Sequence, residues 1–172
     1  MNEFSALTCT ALLAASIAVG TQPATATQRK LFESGAWRAV EAVEAGRRLC
    51  FAIASPVQRV PLELKRDPGN FFVTLKKGKS GAKTEISIEF GYRLAGSGHM
   101  ATIDDRGFDL ISSGEAAWVR SEADETDIVE AMKAGRDLRV TAISARGNRT
   151  TDLYGLDGFT AALSELQKRC GS

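Results

Sequence analysis

The chain has very little histidine and cysteine. A single histidine, His99, and three cysteines serve all 172 residues. With Cys9 inside an apolar N-terminal stretch and Cys50 and Cys170 free to pair with each other, few soft metal ligands remain. The single histidine also means that any Ser–His–Asp arrangement must be built on His99, with Ser97 and Asp104 or Asp105 as its neighbours. Neither sign of charge is in excess. Lys and Arg number 22 against 21 Asp and Glu, a balance that argues against a nucleic-acid binder or an acidic tail. Long apolar runs are scarce too. The stretch Ala6–Gly20 is short of a membrane span, and no other apolar run is long enough to cross a bilayer.

That one stretch, ALTCTALLAASIAVG, has the length of a secretory h-region and is followed by the small residues Ala24-Thr25-Ala26. It reads as a signal peptide over residues 1–26, cleaved after Ala26, although Glu3 stands where a positive charge is usual. The reading implies a periplasmic, envelope-associated or secreted protein. Cys9 leaves with the leader, and Cys50 and Cys170 remain as an even pair in an exported chain, most simply a disulfide. The loop it closes is long, and the loop-entropy model allows about 4–5 kcal/mol for such a crosslink, an upper figure.

Residues 27–36 are polar and read as a flexible start, and residues 37–172 as a single β-rich domain. Strand-like segments run over Trp37–Val43 and Leu49–Val57, joined through Glu44-Ala45-Gly46-Arg47. Pro56 and Pro61 make the stretch from Gln58 to Arg66 an edge or irregular segment, and Asp67-Pro68-Gly69-Asn70 reads as a turn. From Thr84 to Leu94 the apolar residues fall on even positions and the polar ones on odd, the signature of a half-buried strand. Shorter strands follow around Asp105-Arg106-Gly107, at Ala116–Arg120, Leu138–Ala145 and Thr150–Leu156. One helix is predicted over Asp124–Ala134, with Gly135 at its C′ position. A second begins near Asp157 as N-cap. Its apolar positions Phe159, Ala162, Leu163 and Leu166 lead to Cys170 on the same face, which supports the pairing with Cys50. The predicted architecture is an antiparallel, sandwich-like β domain with two short helices, the C-terminal one packed on the sheet.

The segment Ser144–Leu163, SARGNRTTDLYGLDGFTAAL, resembles the invasion-associated locus B family of exported bacterial proteins. So do Trp37, Cys50-Phe51, Ser55-Pro56-Val57, Arg66-Asp67-Pro68, Gly91-Tyr92, Ala117-Trp118 and Ala131–Gly135, in order and spacing from Trp37 to Cys170. The resemblance implies an exported, β-rich domain with C-terminal helix packing and a link to host-cell entry in some pathogens. It brings no catalytic residues and no cofactor.

Residue chemistry offers few sites. In the signature, Arg146-Gly147-Asn148 suits a turn with positive φ, and Thr151, Asp152, Tyr154, Leu156, Gly158 and Phe159 suit a junction between the last strand and the last helix. The competing reading makes Arg146, Arg149 and Asp152 a polar site. His99 beside Gly96-Ser97-Gly98 reads as an exposed loop residue rather than a base, and the tripeptide as a turn rather than a phosphate loop. The acids Asp124, Glu125 and Asp127 match no calcium-loop spacing, and no metal is expected. Lys76, Lys77, Lys79 and Lys83 surround a Gly-rich hairpin tip and suit contact with an anionic surface, or a solvated turn. Together these features predict an exported, non-catalytic binding or structural protein with an envelope or host partner. A hydrolase using His99 or a carboxylate pair is the alternative.

Overall fold

A computed structural model describes residues 27–78 and 81–171. The leader and its cleavage point lie outside the described residues, as does Lys79. The strands are β1 Thr27–Ser34, β2 Trp37–Glu44, β3 Arg47–Ala54, β4 Gln58–Val60, β5 Asn70–Gly78, β6 Gly81–Glu89, β7 His99–Ile103, β8 Arg106–Ser113 and β9 Ala116–Val119. Helix α1 spans Glu122–Ala134. Strands β10 Asp137–Ile143 and β11 Arg149–Gly155 follow, and helix α2, Phe159–Cys170, comes last. All described strands join one antiparallel sheet in the order β1-β2-β3-β5-β6-β9-β8-β7-β10-β11-β4.

The sheet curls until distant strands face each other. Trp37 Nε1 on β2 donates to the carbonyl of Gly155 on β11 at 2.9 Å, and the rings of Phe71 on β5 and Tyr154 on β11 stand 5.6 Å apart. This is the sandwich-like, mainly β domain expected, made from one continuous sheet. Helix α2 lies on β1, β2 and β3, where Phe159 meets Trp37 at 4.8 Å, and α1 lies on β6 to β9. Period two sets the core: Ile86, Ile88 and Phe90 are fully buried while Glu89 and Arg93 face solvent. Cys50 and Cys170 are at disulfide distance, with Sγ atoms 2.10 Å and Cα atoms 6.3 Å apart. The end of α2 is also held by Arg48, whose Nη2 donates to the Arg169 carbonyl at 3.0 Å. Among the described residues no helix is long and apolar enough to cross a membrane.

Several local expectations are corrected. Residues 27–34, predicted as a flexible start, form edge strand β1, which pairs with β2 through a bulge near Leu31. Its polar composition reflects an edge, where charged side chains such as Arg29 and Lys30 remain in water. The segment Asp67–Asn70 makes no turn and leads into β5 at Asn70. It is held by Asp67 N–H on the Gly91 carbonyl, and the reversal falls instead at Pro61–Leu64. The long strand from Thr84 stops at Glu89 because Gly91 takes φ +69°. Helix α1 is capped by Ser121, whose Oγ accepts from Asp124 N–H at 3.2 Å, and Gly135 ends it in an extended conformation at φ −81° rather than a left-handed one. Asp157 is not the cap of α2. Gly158 is, at φ +84°, where a Cβ would sit 1.9 Å from the Ser34 carbonyl oxygen.

Candidate functional site

Alternation along β11 turns Thr150, Asp152 and Tyr154 to the interior and leaves Arg149 exposed. A carboxylate in that position must find compensating charge. Arg59, directly opposite on β4, supplies it with Nε at 3.1 Å from Asp152 Oδ2. Arg66, from the segment after β4, places Nη1 at 2.9 Å from Oδ1. Both acceptor oxygens are therefore occupied by guanidinium. Arg59 spends its other donors on the carbonyls of Asp67 and Phe90, each at 2.7 Å. Arg66 has one further bond, to the Pro61 carbonyl at 3.3 Å, although its side chain is only 6% exposed. Burial pushes the Asp152 carboxyl above its ordinary range, against the pull of Arg59 and Arg66. Two guanidiniums on one carboxylate leave this cluster with one uncompensated positive charge.

Arg66 is also part of the floor of a cleft of about 460 Å³. Tyr92 lies beside it, its hydroxyl bonded to Thr150 Oγ1 and its ring 5.8 Å from that of Phe90. Burial raises the phenol above its ordinary value, so it stays neutral. The rim carries Lys65, Arg93 and Arg146, with Asp67 and Glu115 between them. None of these five takes part in an ion pair among the described residues. Two rim segments are stitched by Ala145 N–H donating to the Arg93 carbonyl at 2.8 Å. Gly91 allows the third to close in: a Cβ there would lie 2.2 Å from the Asp67 carbonyl oxygen.

The sequence-derived site residues are dispersed. Of the polar trio, Arg146 reaches the cleft rim and Asp152 lies beneath its floor, but Asp152 is held by Arg59 and Arg66, not by Arg146 or Arg149. The rest of the signature is a packing junction. Tyr154, Leu156 and Phe159 are buried, Thr151 is half-buried, Gly158 admits Ser34, and Gly147 makes its turn at φ +82°. In the lysine hairpin, Lys76 pairs with Glu85 and Lys83 with Glu122 at 2.7 Å, leaving Lys77 exposed. A groove of about 480 Å³ along α1 is similarly self-neutralised, since its Lys83 and Lys133 are bonded to Glu122 and Glu130.

His99 is not an exposed loop residue. It opens β7 facing inward and is 3% exposed. Nδ1 accepts the Ile143 N–H at 3.2 Å, so Nε2 carries the proton and donates to the Ala95 carbonyl at 2.8 Å. Both nitrogens are thus committed to backbone, and Asp104 and Asp105 stand beyond the other end of the strand. Asp124 bonds Ser121, Glu125 accepts the Ile86 N–H at 3.3 Å, and among the described residues no group of three or more His, Cys, Asp or Glu is placed to hold a metal. Sequence reasoning missed Arg59 altogether and met Arg66 only as part of a motif. The available signal was an acid on the inward face of an alternating strand.

Comparison of the chain with protein-family models, with curated proteins and with solved structures finds no match in any of the three.

Proposed function

We propose that this is an exported envelope protein with a non-catalytic binding role, and that the cleft over Arg66 and Tyr92 is where it binds. The observation that carries this reading is the surplus of cationic donors at the cleft: a guanidinium pair on one carboxylate below, and rim cations without carboxylate partners above. Fixed positive charge held by a rigid sheet recognises anionic groups without further reorganisation. The volume lies within the range of small-molecule sites. Against the His99 form of the hydrolase alternative, both ring nitrogens of His99 are engaged with backbone groups, which leaves a carboxylate pair as its remaining form. We assign the chain to the invasion-associated locus B type on its ordered motifs. Their residues serve as junctions here: Trp37 on Gly155, Gly158 on Ser34, Cys50 on Cys170. An envelope or host partner would use the same face.

The test is thermal denaturation of the protein purified from the periplasm, in the presence of fractionated envelope extract. At least one fraction is expected to raise the midpoint of the wild type and not that of Asn148→Trp, which fills the cleft from an exposed rim position. Equal shifts for both proteins would refute the cleft as the binding site. Intact mass of the same sample should correspond to a chain beginning at Thr27.

A further inference from the structure

We infer that the ligand of this cleft is a hydroxylated carboxylate of the kind an acidic sugar residue presents, an assignment that rests on the binding role proposed above. The argument begins with charge. Three rim cations, Lys65, Arg93 and Arg146, face two rim carboxylates, Asp67 and Glu115, which leaves one positive charge. The Arg59–Asp152–Arg66 cluster beneath adds another. A surplus of two favours a ligand with net negative charge and works against a zwitterion such as a free amino acid.

The kind of anion follows from what else lines the space. Carboxylates in the lining disfavour a compact polyanion more than a singly charged ligand, because the repulsion grows with the charge brought in. Here Asp67 and Glu115 lie among the cations without pairing with them, so their oxygens remain available as acceptors. Carboxylate acceptors suit hydroxyl groups, which donate to them at no cost in charge repulsion. Asn148, also on the lining, offers a side-chain amide that can serve hydroxyls in either direction. One carboxylate plus several hydroxyls on a compact ring uses both halves of this donor and acceptor set.

The floor fits the same description. Arg66 has five N–H groups, of which two are bonded to protein acceptors among the described residues. The remaining donors belong to a planar guanidinium that lines the cleft and is held in place by Asp152. Such a fork meets a carboxylate through two parallel bonds. Beside it, Tyr92 is fixed by its Thr150 bond and presents an aromatic surface of the type on which a sugar ring's C–H face can lie. Arg93 and Arg146 add cationic donors at the rim, on segments joined by the Ala145 N–H bond to the Arg93 carbonyl.

The experiment is isothermal titration of the intact mature protein with D-glucuronate, D-glucose, inorganic phosphate and glycine as probes. Glucuronate should bind saturably, at least tenfold tighter than each of the others. Arg93→Gln with Arg146→Gln should weaken it tenfold or more without shifting the thermal midpoint, since both side chains are exposed. Glu115→Ala gives the decisive sign. It removes a negative charge, so simple attraction of anions predicts tighter glucuronate binding, whereas hydroxyl acceptance predicts binding severalfold weaker. Tightening, or phosphate or glycine binding as well as glucuronate, would overturn the assignment. A tetragalacturonate titrated alongside distinguishes a free sugar acid from a saccharide chain, which should bind tighter than the monomer if a chain is the natural source. If glucuronate fails but an envelope fraction still shows binding sensitive to Asn148→Trp, the ligand class is wrong and the binding role stands. If nothing shows that sensitivity, both fall.

Discussion

Asp152 joins β11 to Arg59 on β4 and to Arg66 in the segment after it. It is 1% exposed, yet it is a charged group facing the interior of a β domain. Removing one member of such a buried pair costs about 3–5 kcal/mol, because the partners are left charged and unmatched. Asp152→Asn should therefore lower the unfolding free energy by about that amount, read from urea denaturation. It should also loosen Arg66 and the cleft floor. Glu125 makes a different case. Burial raises its carboxyl above the ordinary 4.5, while the Ile86 N–H it accepts works the other way. Below pH 4.5 both folded and unfolded states hold the proton, and the group contributes nothing to pH dependence. As pH rises from there through the raised folded value, the unfolded chain releases its proton first, so the wild type loses stability across that window. Glu125→Gln retains the acceptor and has no proton to lose. Its stability relative to wild type should improve as pH rises above 4.5 and level off once the folded carboxyl has ionised, as pH-dependent denaturation curves would show. A constant difference across that range would contradict the assignment.

At the scale of elements, the entry to α2 is the most tightly constrained point. Gly158 combines φ +84° with a Cβ position 1.9 Å from Ser34. Gly158→Ala should cost at least about 1–3 kcal/mol from the backbone conformation alone, and more from displacement of the β1–β2 turn, measurable as a lowered urea midpoint. Elements of this kind were legible in the sequence to different degrees. The β5–β6 and β2–β3 hairpins and both helices could be read because alternation and helical spacing depend only on near neighbours, as in Ile86, Ile88 and Phe90 or in Phe159, Ala162, Leu163 and Leu166. His99 shares its face with Ala101 and Ile103, so the same period could have placed it inside, but the adjoining Gly-Ser-Gly obscured it. The cleft was not legible. It depends on β4 pairing with β11 across 93 residues between Arg59 and Asp152, and on three segments meeting at Gly91. No local pattern encodes such a meeting.

At the scale of the whole molecule, the last helix is fastened to the third strand of the sheet. The bridge from Cys50 to Cys170 spans 120 residues of sequence. Its removal, by reduction or by Cys50→Ala with Cys170→Ala, should lower stability by up to about 4–5 kcal/mol on the loop-entropy model, seen as a lower thermal midpoint in reductant. The ion pairs that Glu41 makes with Arg29 and Arg48 should not replace it, since they lie at the surface.

The contact of Gly158 with Ser34 has a consequence for how the protein opens. The first hairpin, β1 with β2, rests on α2, and α2 in turn begins only where the Ser34–Ala36 turn leaves room for it. Neither can lift away while the other stays docked. They should therefore behave as one cooperative unit that breathes separately from β7, β10 and β11. In native-state hydrogen exchange, amides of β1, β2 and α2 are expected to share a single opening free energy and to shift together when Gly158 is changed. Independent fraying of β1 would show that β1 and α2 are neighbours without being coupled.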